Sequence, residues 1–123
     1  MDLFRSLEVT LAAPGSARRS LEYFAEDVPQ AQLDDLRVVV SELVTNSVRH
    51  SGMGERDRIE MKIQTLPRCI RVEISDHGVG FGPESVQGGA EGGFGLAIVN
   101  QLAARWGHEG GPQTTVWAEV APV

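Results

Sequence analysis

The stretch from Ala31 to His50 constrains the fold more than any other part of the chain. Leu33, Leu36, Val40, Leu43, Val44 and Ser47 recur every three or four residues, or adjacent to that series, and so occupy one broad stripe of an α-helix. Asp34, Asp35 and Arg37 fall largely off the stripe. A helix of this kind is stable only with its stripe buried against another layer. Ser51-Gly52-Met53-Gly54 supplies residues able to end it and turn the chain.

The other layer reads as a sheet. Ile59, Met61 and Ile63 alternate with Glu60, Lys62 and Gln64; after a turn at Pro67, Ile70, Val72 and Ile74 alternate with Arg71, Glu73 and Ser75. Two alternating runs joined by a short turn predict an antiparallel hairpin with one face on the core, leaving Arg71 and Glu73 on the solvated face. Leu7, Val9 and Leu11 predict an opening strand broken by Pro14–Gly15. Ala17 to Phe24 predicts a short helix with Ala17, Leu21 and Phe24 inward, separated from the long helix by Pro29. Leu96, Val99, Leu102/Ala103 and Trp106 predict a later amphipathic helix ended by Gly107, and Val116, Ala118 and Val120 a last strand. The order β-α-α-β-β-loop-α-β describes one two-layer α/β domain over residues 1–123, with helices on one side of the sheet.

Composition narrows the function classes. A hydrophobic fraction of 41% fits a globular chain. No window approaches the ~20 uninterrupted apolar residues needed to span a bilayer. The start, MDLFRSLEV, lacks the basic-then-apolar layout of a secretory signal, so a cytoplasmic location is expected. A net charge of -6 disfavours broad attraction to nucleic acid or to an anionic membrane. It leaves room for a phosphorylated nucleotide, because a metal ion and a ring of backbone N–H groups can reverse the field inside one pocket. The single Cys69 forms no intrachain disulfide and reads as an ordinary strand residue.

Polar residues on the long helix carry the first chemical signal. Glu42 and Asn46 lie four apart and point in similar directions, while Leu43 and Val44 anchor the other side. A carboxylate so placed can orient or deprotonate a hydroxyl, and an amide oxygen suits a hard cation such as Mg²⁺. Solvent exposure is the plain alternative for both. One turn further on, His50 faces either the same cleft or the helix end, and Arg49 contacts a phosphate or a partner, with an exposed salt bridge as the plain alternative.

Glycine-rich turns carry the second signal. Gly78 and Gly80 follow the strand that ends in Asp76, where close backbone approach is tolerated. Asp76 itself either accepts a proton from an exocyclic amine or caps the adjoining turn. Gly92, Gly93 and Gly95 precede the helix beginning near Leu96, an arrangement able to aim backbone N–H groups at phosphate oxygens. The order matches neither a P-loop nor a dinucleotide-binding fingerprint.

Taken together, Glu42-Leu43-Val44-Thr45-Asn46, Asp76-His77-Gly78-Val79-Gly80 and Gly93-Phe94-Gly95-Leu96 closely resemble the ATP-binding boxes of the GHKL superfamily. That superfamily includes Hsp90, type II topoisomerase, MutL and histidine-kinase ATPase domains. The run from Glu42 to His50 is particularly similar to bacterial anti-sigma-factor serine/threonine kinases of the RsbW and SpoIIAB type. The resemblance implies a Bergerat-type α/β sandwich, with helices on one face of a mixed, mainly antiparallel sheet and with ATP and Mg²⁺ bound between the layers. By the same resemblance Glu42 assists hydroxyl attack, Asn46 coordinates Mg²⁺ and Asp76 recognises the adenine amino group. Gly78 and Gly80 shape the adenine-side loop; Gly92, Gly93, Phe94, Gly95 and Leu96 form the phosphate-side turn and helix start; Thr114 or Thr115 closes the adenine end.

The function this implies is phosphorylation of a serine or threonine on a small anti-sigma-factor antagonist, with a sigma factor or analogous regulator as the alternate partner. A homodimer is a further expectation from the resemblance, and no direct contact with nucleic acid or membrane is expected. Two alternatives stay open. The segment from Phe81 to Glu91, where a lid over the nucleotide would lie, is short, which leaves room for a nucleotide-dependent binding module without phosphoryl transfer. The other alternative is the ATP-binding part of a histidine kinase, although none of His50, His77 and His108 sits in a recognisable phosphoacceptor helix.

Overall fold

The computed structural model describes residues 1–50, 57–77, 96–110 and 113–122, with His50 described by its backbone alone. The elements run β1 (Asp2–Glu8), α1 (Ala13–Ser20), a 3₁₀ turn (Leu21–Phe24), α2 (Gln30–His50), β2 (Arg58–Thr65), β3 (Ile70–Asp76), α3 (Leu96–Leu102), β4 (Arg105–Glu109) and β5 (Thr114–Val120). The strands form one sheet in the order β1-β2-β3-β5-β4. Each pairing among the described residues is antiparallel.

The two layers follow from the alternation. Ile63 pairs with Val72 and Val72 with Ala118, so one buried row crosses the sheet from β2 to β5. A second row runs Met61, Ile74, Val116. These side chains meet the stripe of α2, where Leu33, Leu36, Val40, Leu43 and Val44 are all buried. Helix α2 lies against β3 and β5, α1 packs on α2 and β1, and α3 packs on α2 and β4. Fully burying a side chain of this size stabilises the fold by about 1.5–3 kcal/mol. The architecture is therefore the expected two-layer α/β sandwich with helices on one face. No helix among the described residues is long and apolar enough to cross a membrane.

Three local expectations are corrected. The opening strand spans Asp2–Glu8, with Leu3 and Leu7 inward, and Leu11 lies outside it, 91% exposed. The ladder stops because its partner begins at Arg58, opposite Glu8. Beyond it, Thr10 accepts from the Ala12 N–H through its hydroxyl and from the Ala13 N–H through its carbonyl, turning the chain into a helix. Pro14, expected to break the strand, lies instead in the first turn of α1, which starts at Ala13 rather than Ala17 and gives way to the 3₁₀ turn at Leu21; there a missing N–H leaves no bond unmade.

The third correction concerns the chain's end. The later helix stops at Leu102, and Trp106 and Gly107 belong to β4, a strand that the helical spacing concealed. The Ala104 N–H donates to the Glu119 carbonyl at 2.8 Å, joining this segment to β5. Gly107 fits there because a Cβ would lie 2.9 Å from the Trp117 ring. Pairing with β5 thus overrides a local pattern that reads equally well as helix.

Arg71 and Glu73 do lie on the face away from the helices, but they are half-buried in a network. Arg71 donates to Glu73 at 2.9 Å and to Glu119 at 3.0 Å, and its guanidinium sits 4.3 Å from the Trp117 ring centroid. Arg105 donates to the other Glu119 oxygen at 2.9 and 2.7 Å. The Arg105 hydrogen bonds, seconded by Arg71, hold the Glu119 carboxyl below the usual glutamate range against the opposing effect of burial.

Candidate functional site

The last turns of α2, the exit of β3 and the start of β5 converge at one end of the sandwich. A hydrogen bond ties the first two together: the Ser47 hydroxyl donates to Asp76 Oδ2 at 2.5 Å. Both residues are buried, Ser47 at 7% and Asp76 at 5% exposure. The length is that of a charge-assisted O–H···O⁻ bond. Asp76 reaches α2 because it continues the inward parity of Ile70, Val72 and Ile74 to the last residue of the strand. A position that the alternation reserves for the core thus holds a carboxylate.

Asn46, beside Ser47, is 3% exposed, and neither its Nδ2 nor its Oδ1 has a hydrogen-bond partner among the described residues. Burying an amide unpaired costs about 1–3 kcal/mol, and orphaned groups of this kind are rare in a folded domain. The solvent-facing alternative does not hold for this residue. Its oxygen and amine are suited to a ligand that brings a cation and acceptors together. Glu42, one helical turn earlier, is half-buried, and no hydrogen bond or ion pair involves it among the described residues. Leu43 and Val44 anchor the other side of the helix in the core.

The strand register separates the two threonines. Thr114 stands opposite Asp76 and shares its inward parity. Thr115 stands opposite Ser75 on the other face, with their hydroxyl oxygens 2.8 Å apart. Thr115 therefore does not join Asp76 and Asn46. Beside this end, Gln113 Nε2 lies 3.4 Å from His77 Nε2, bridging the exit of β3 and the entry of β5.

Leu96 is buried at the first position of α3, which packs on α2. Arg49 is exposed. Gly78, Gly80, Gly92, Gly93, Phe94, Gly95 and the segment from Phe81 to Glu91 lie outside the described residues, as does the side chain of His50. Among the described residues no three His, Cys, Asp or Glu side chains gather as a metal site. A magnesium ion carried on nucleotide phosphates needs only one or two protein oxygens, and the Asn46 amide fits that requirement.

Sequence reasoning assigned Ser47 to the apolar stripe and missed its bond to Asp76. The available signal was a hydroxyl in an otherwise aliphatic series, since buried polar groups need partners. Two clefts lie elsewhere: one of about 300 Å³ between β1 and α1 beside Arg58, and one of about 250 Å³ beside Cys69 at the other end of β3. Neither includes Glu42, Asn46 or Asp76. Burial pushes the Cys69 thiol up, as does the nearby Glu119, which is the behaviour of a structural cysteine.

Comparison with known proteins agrees with this fold. The family model for the histidine kinase-like ATPase domain matches residues 7–119. The serine-protein kinase RsbW of Listeria innocua is 34% identical over 84 residues, covering 57% of this chain and 54% of RsbW. RsbW of Listeria monocytogenes gives the same figures. The chain spans about half the length of these curated relatives. The catalytic domain of the histidine kinase ThkA, in a nucleotide-free form, superposes with a TM-score of 0.59 at 14% identity, covering 97% of this chain and 95% of that one. This last likeness speaks to the fold.

Proposed function

The chain belongs to the histidine kinase-like ATPase domain family, and from that premise we propose that it is an ATP-dependent serine/threonine protein kinase whose substrate is a small regulatory protein of the anti-sigma-factor-antagonist kind. Modification of the substrate would end its contact with this domain and free the domain for a sigma factor or analogous regulator. The 34% identity to RsbW over 84 residues supports the serine-kinase branch.

One observation carries the reading: on the helix that also bears Glu42, the buried Asn46 amide has no hydrogen-bond partner among the described residues, and its neighbour Ser47 bonds the buried carboxylate of Asp76 on β3. Asp76 and Thr114 would hold the base, Asp76 by accepting from the exocyclic amine. Asn46 would hold the metal-bearing phosphates. When bound, Mg-ATP supplies the transferable phosphoryl group and the positive charge that screens it. Glu42 would orient the substrate hydroxyl and take its proton, a role that asks for reach and orientation. Backbone N–H groups at the start of α3 would add fixed positive dipoles toward the phosphates.

The test is transfer of labelled phosphate to a captured antagonist protein by the wild type and by Glu42→Gln. Transfer by the wild type and its loss in Glu42→Gln, with nucleotide binding kept, is the expected result. Tight Mg-ATP binding without transfer to any antagonist would instead favour a nucleotide-dependent binding module, the reading that the short segment from Phe81 to Glu91 suggests.

A further inference from the structure

We infer that the outer edge of β1 is closed against strand addition by a second copy of this chain, and that Arg58 is the residue that closes it. The inference stands apart from the nucleotide site, so its failure would leave the proposed function untouched.

Among the described residues β1 pairs with β2 alone. In an antiparallel ladder each residue turns its N–H and C=O to the same side, and successive residues alternate sides. The Thr65 N–H donates to the Met1 carbonyl at 2.9 Å, so Met1 is turned toward β2. By alternation Leu3, Arg5 and Leu7 follow it, whereas Asp2, Phe4, Ser6 and Glu8 turn toward the edge. Phe4 is 61% exposed, and Ser6 and Glu8 are exposed as well. An exposed edge of seven residues is a ready template for another strand.

The carbonyls on that edge are already engaged by the chain itself. Arg5 Nη1 donates to the Phe4 carbonyl at 2.9 Å, the Thr10 N–H to the Glu8 carbonyl at 3.0 Å, and Arg58 Nη2 to the Ser6 carbonyl at 3.0 Å. Arg58 does this from another strand. It begins β2 opposite Glu8, and to meet an outward carbonyl its side chain must pass over β1. On the way its Nε donates to the Ser6 hydroxyl at 2.9 Å, and its Nη1 lies 3.8 Å from the Glu8 carboxylate. One guanidinium thus holds both oxygens of Ser6. The Arg5 bond joins adjacent residues and the Thr10 bond lies at the strand end, so the edge between them depends on Arg58.

An incoming strand must both donate to and accept from the outward residues it pairs with. At Phe4, Ser6 and Glu8 the donation is pre-empted, and at Ser6 a charged side chain also lies across the approach. Charged groups on an edge are a general means of preventing such pairing. Two copies related by a twofold axis would present β1 antiparallel to itself, so both guards would have to be displaced at one junction. A homodimer, the state that the family resemblance implies, would accordingly use a different surface.

The experiment is sedimentation velocity over a concentration series, with amide hydrogen exchange, on the wild type, on Arg58→Ala, and on Arg58→Ala combined with Phe4→Pro. Replacing Phe4 by proline removes an outward N–H that a second strand needs and leaves the β1–β2 ladder intact. Arg58→Ala should associate as concentration rises, reaching about twice the wild-type mass, and should gain protection at the Phe4 and Ser6 amides. Adding Phe4→Pro should return it to the wild-type mass. Arg58→Lys, which keeps the charge without the planar fork, should associate less than Arg58→Ala, and it carries the test if the alanine variant does not fold. The wild-type mass for every Arg58 variant at all concentrations would overturn the inference. So would association without protection at Phe4 and Ser6, or association that survives Phe4→Pro, since either would place the contact on another surface.

Discussion

Thr114 stands directly across the sheet from Asp76, and the two share the face that meets α2, while Thr115 and Ser75 pair on the opposite face. The end of the β3–β5 ladder thus delivers a carboxylate and a hydroxyl to the same side of the sheet as Asn46. Thr114→Val should accordingly weaken Mg-ATP binding by about three- to tenfold, a neutral hydrogen bond's worth, while Thr115→Val changes it by less than about twofold. Titration calorimetry on the two variants checks this, and equal effects would contradict it.

Asp76→Asn is expected to reduce Mg-ATP affinity by at least about tenfold, since it exchanges a charged acceptor for an amide and disturbs the Ser47 bond. The fold should survive, because the substitution keeps shape and a hydrogen-bonding group. Calorimetry together with a thermal melt separates the two effects.

Asn46 yields a prediction of opposite sign for stability and function. Replacing a buried amide that has no partner among the described residues with a similar-sized apolar group removes a desolvation cost, so Asn46→Leu should raise the stability of the nucleotide-free protein by about 1 kcal/mol, or roughly 4 °C in Tm. The same change should abolish magnesium-dependent nucleotide binding. Stabilising a site at the expense of its activity is a common trade. A variant that melts well below the wild type would show that Asn46 is structurally engaged.

How much of this was legible beforehand differs between elements. The long helix and the β2–β3 hairpin declared themselves through clean periodicity, because each buries one face and leaves the other polar. Glu42, Asn46 and Asp76 were singled out by their order along the chain, and burial distinguishes Asn46 from a solvent-facing residue. Strand β4 was hidden because Val99, Leu102 and Trp106 keep a helical spacing; only the pairing of Arg105 with Glu119 and the space left by Gly107 reveal a strand. Ser47 was read as part of the stripe since its partner is 29 residues away, and no local pattern encodes such a contact.

Gly107→Ala tests the account of β4. The added Cβ would lie 2.9 to 3.1 Å from three atoms of the Trp117 indole. The ring would have to shift beneath Arg71, and overpacking of this kind costs about 1–3 kcal/mol. A lowered melting temperature with altered tryptophan fluorescence is expected. Unchanged stability would mean that the strand accommodates the methyl group freely.

Glu119 should make the protein acid-sensitive. Its carboxyl is held below the ordinary range by Arg105 and then Arg71, so the unfolded chain binds its proton more readily than the folded one. The stabilisation is present above the ordinary glutamate value of about 4.3 and is lost as pH falls through the depressed folded value. Glu119→Gln should flatten the acid limb of a stability–pH profile. An identical limb in the variant would place the acid sensitivity elsewhere.

The most direct measurement is a crystal structure of the protein with Mg²⁺ and a non-hydrolysable ATP analogue. The account predicts the adenine amine on Asp76, the Asn46 amide oxygen on the magnesium ion and the Glu42 carboxylate facing the terminal phosphate. A nucleotide seated elsewhere, or one that leaves Asn46 without a contact, would contradict it.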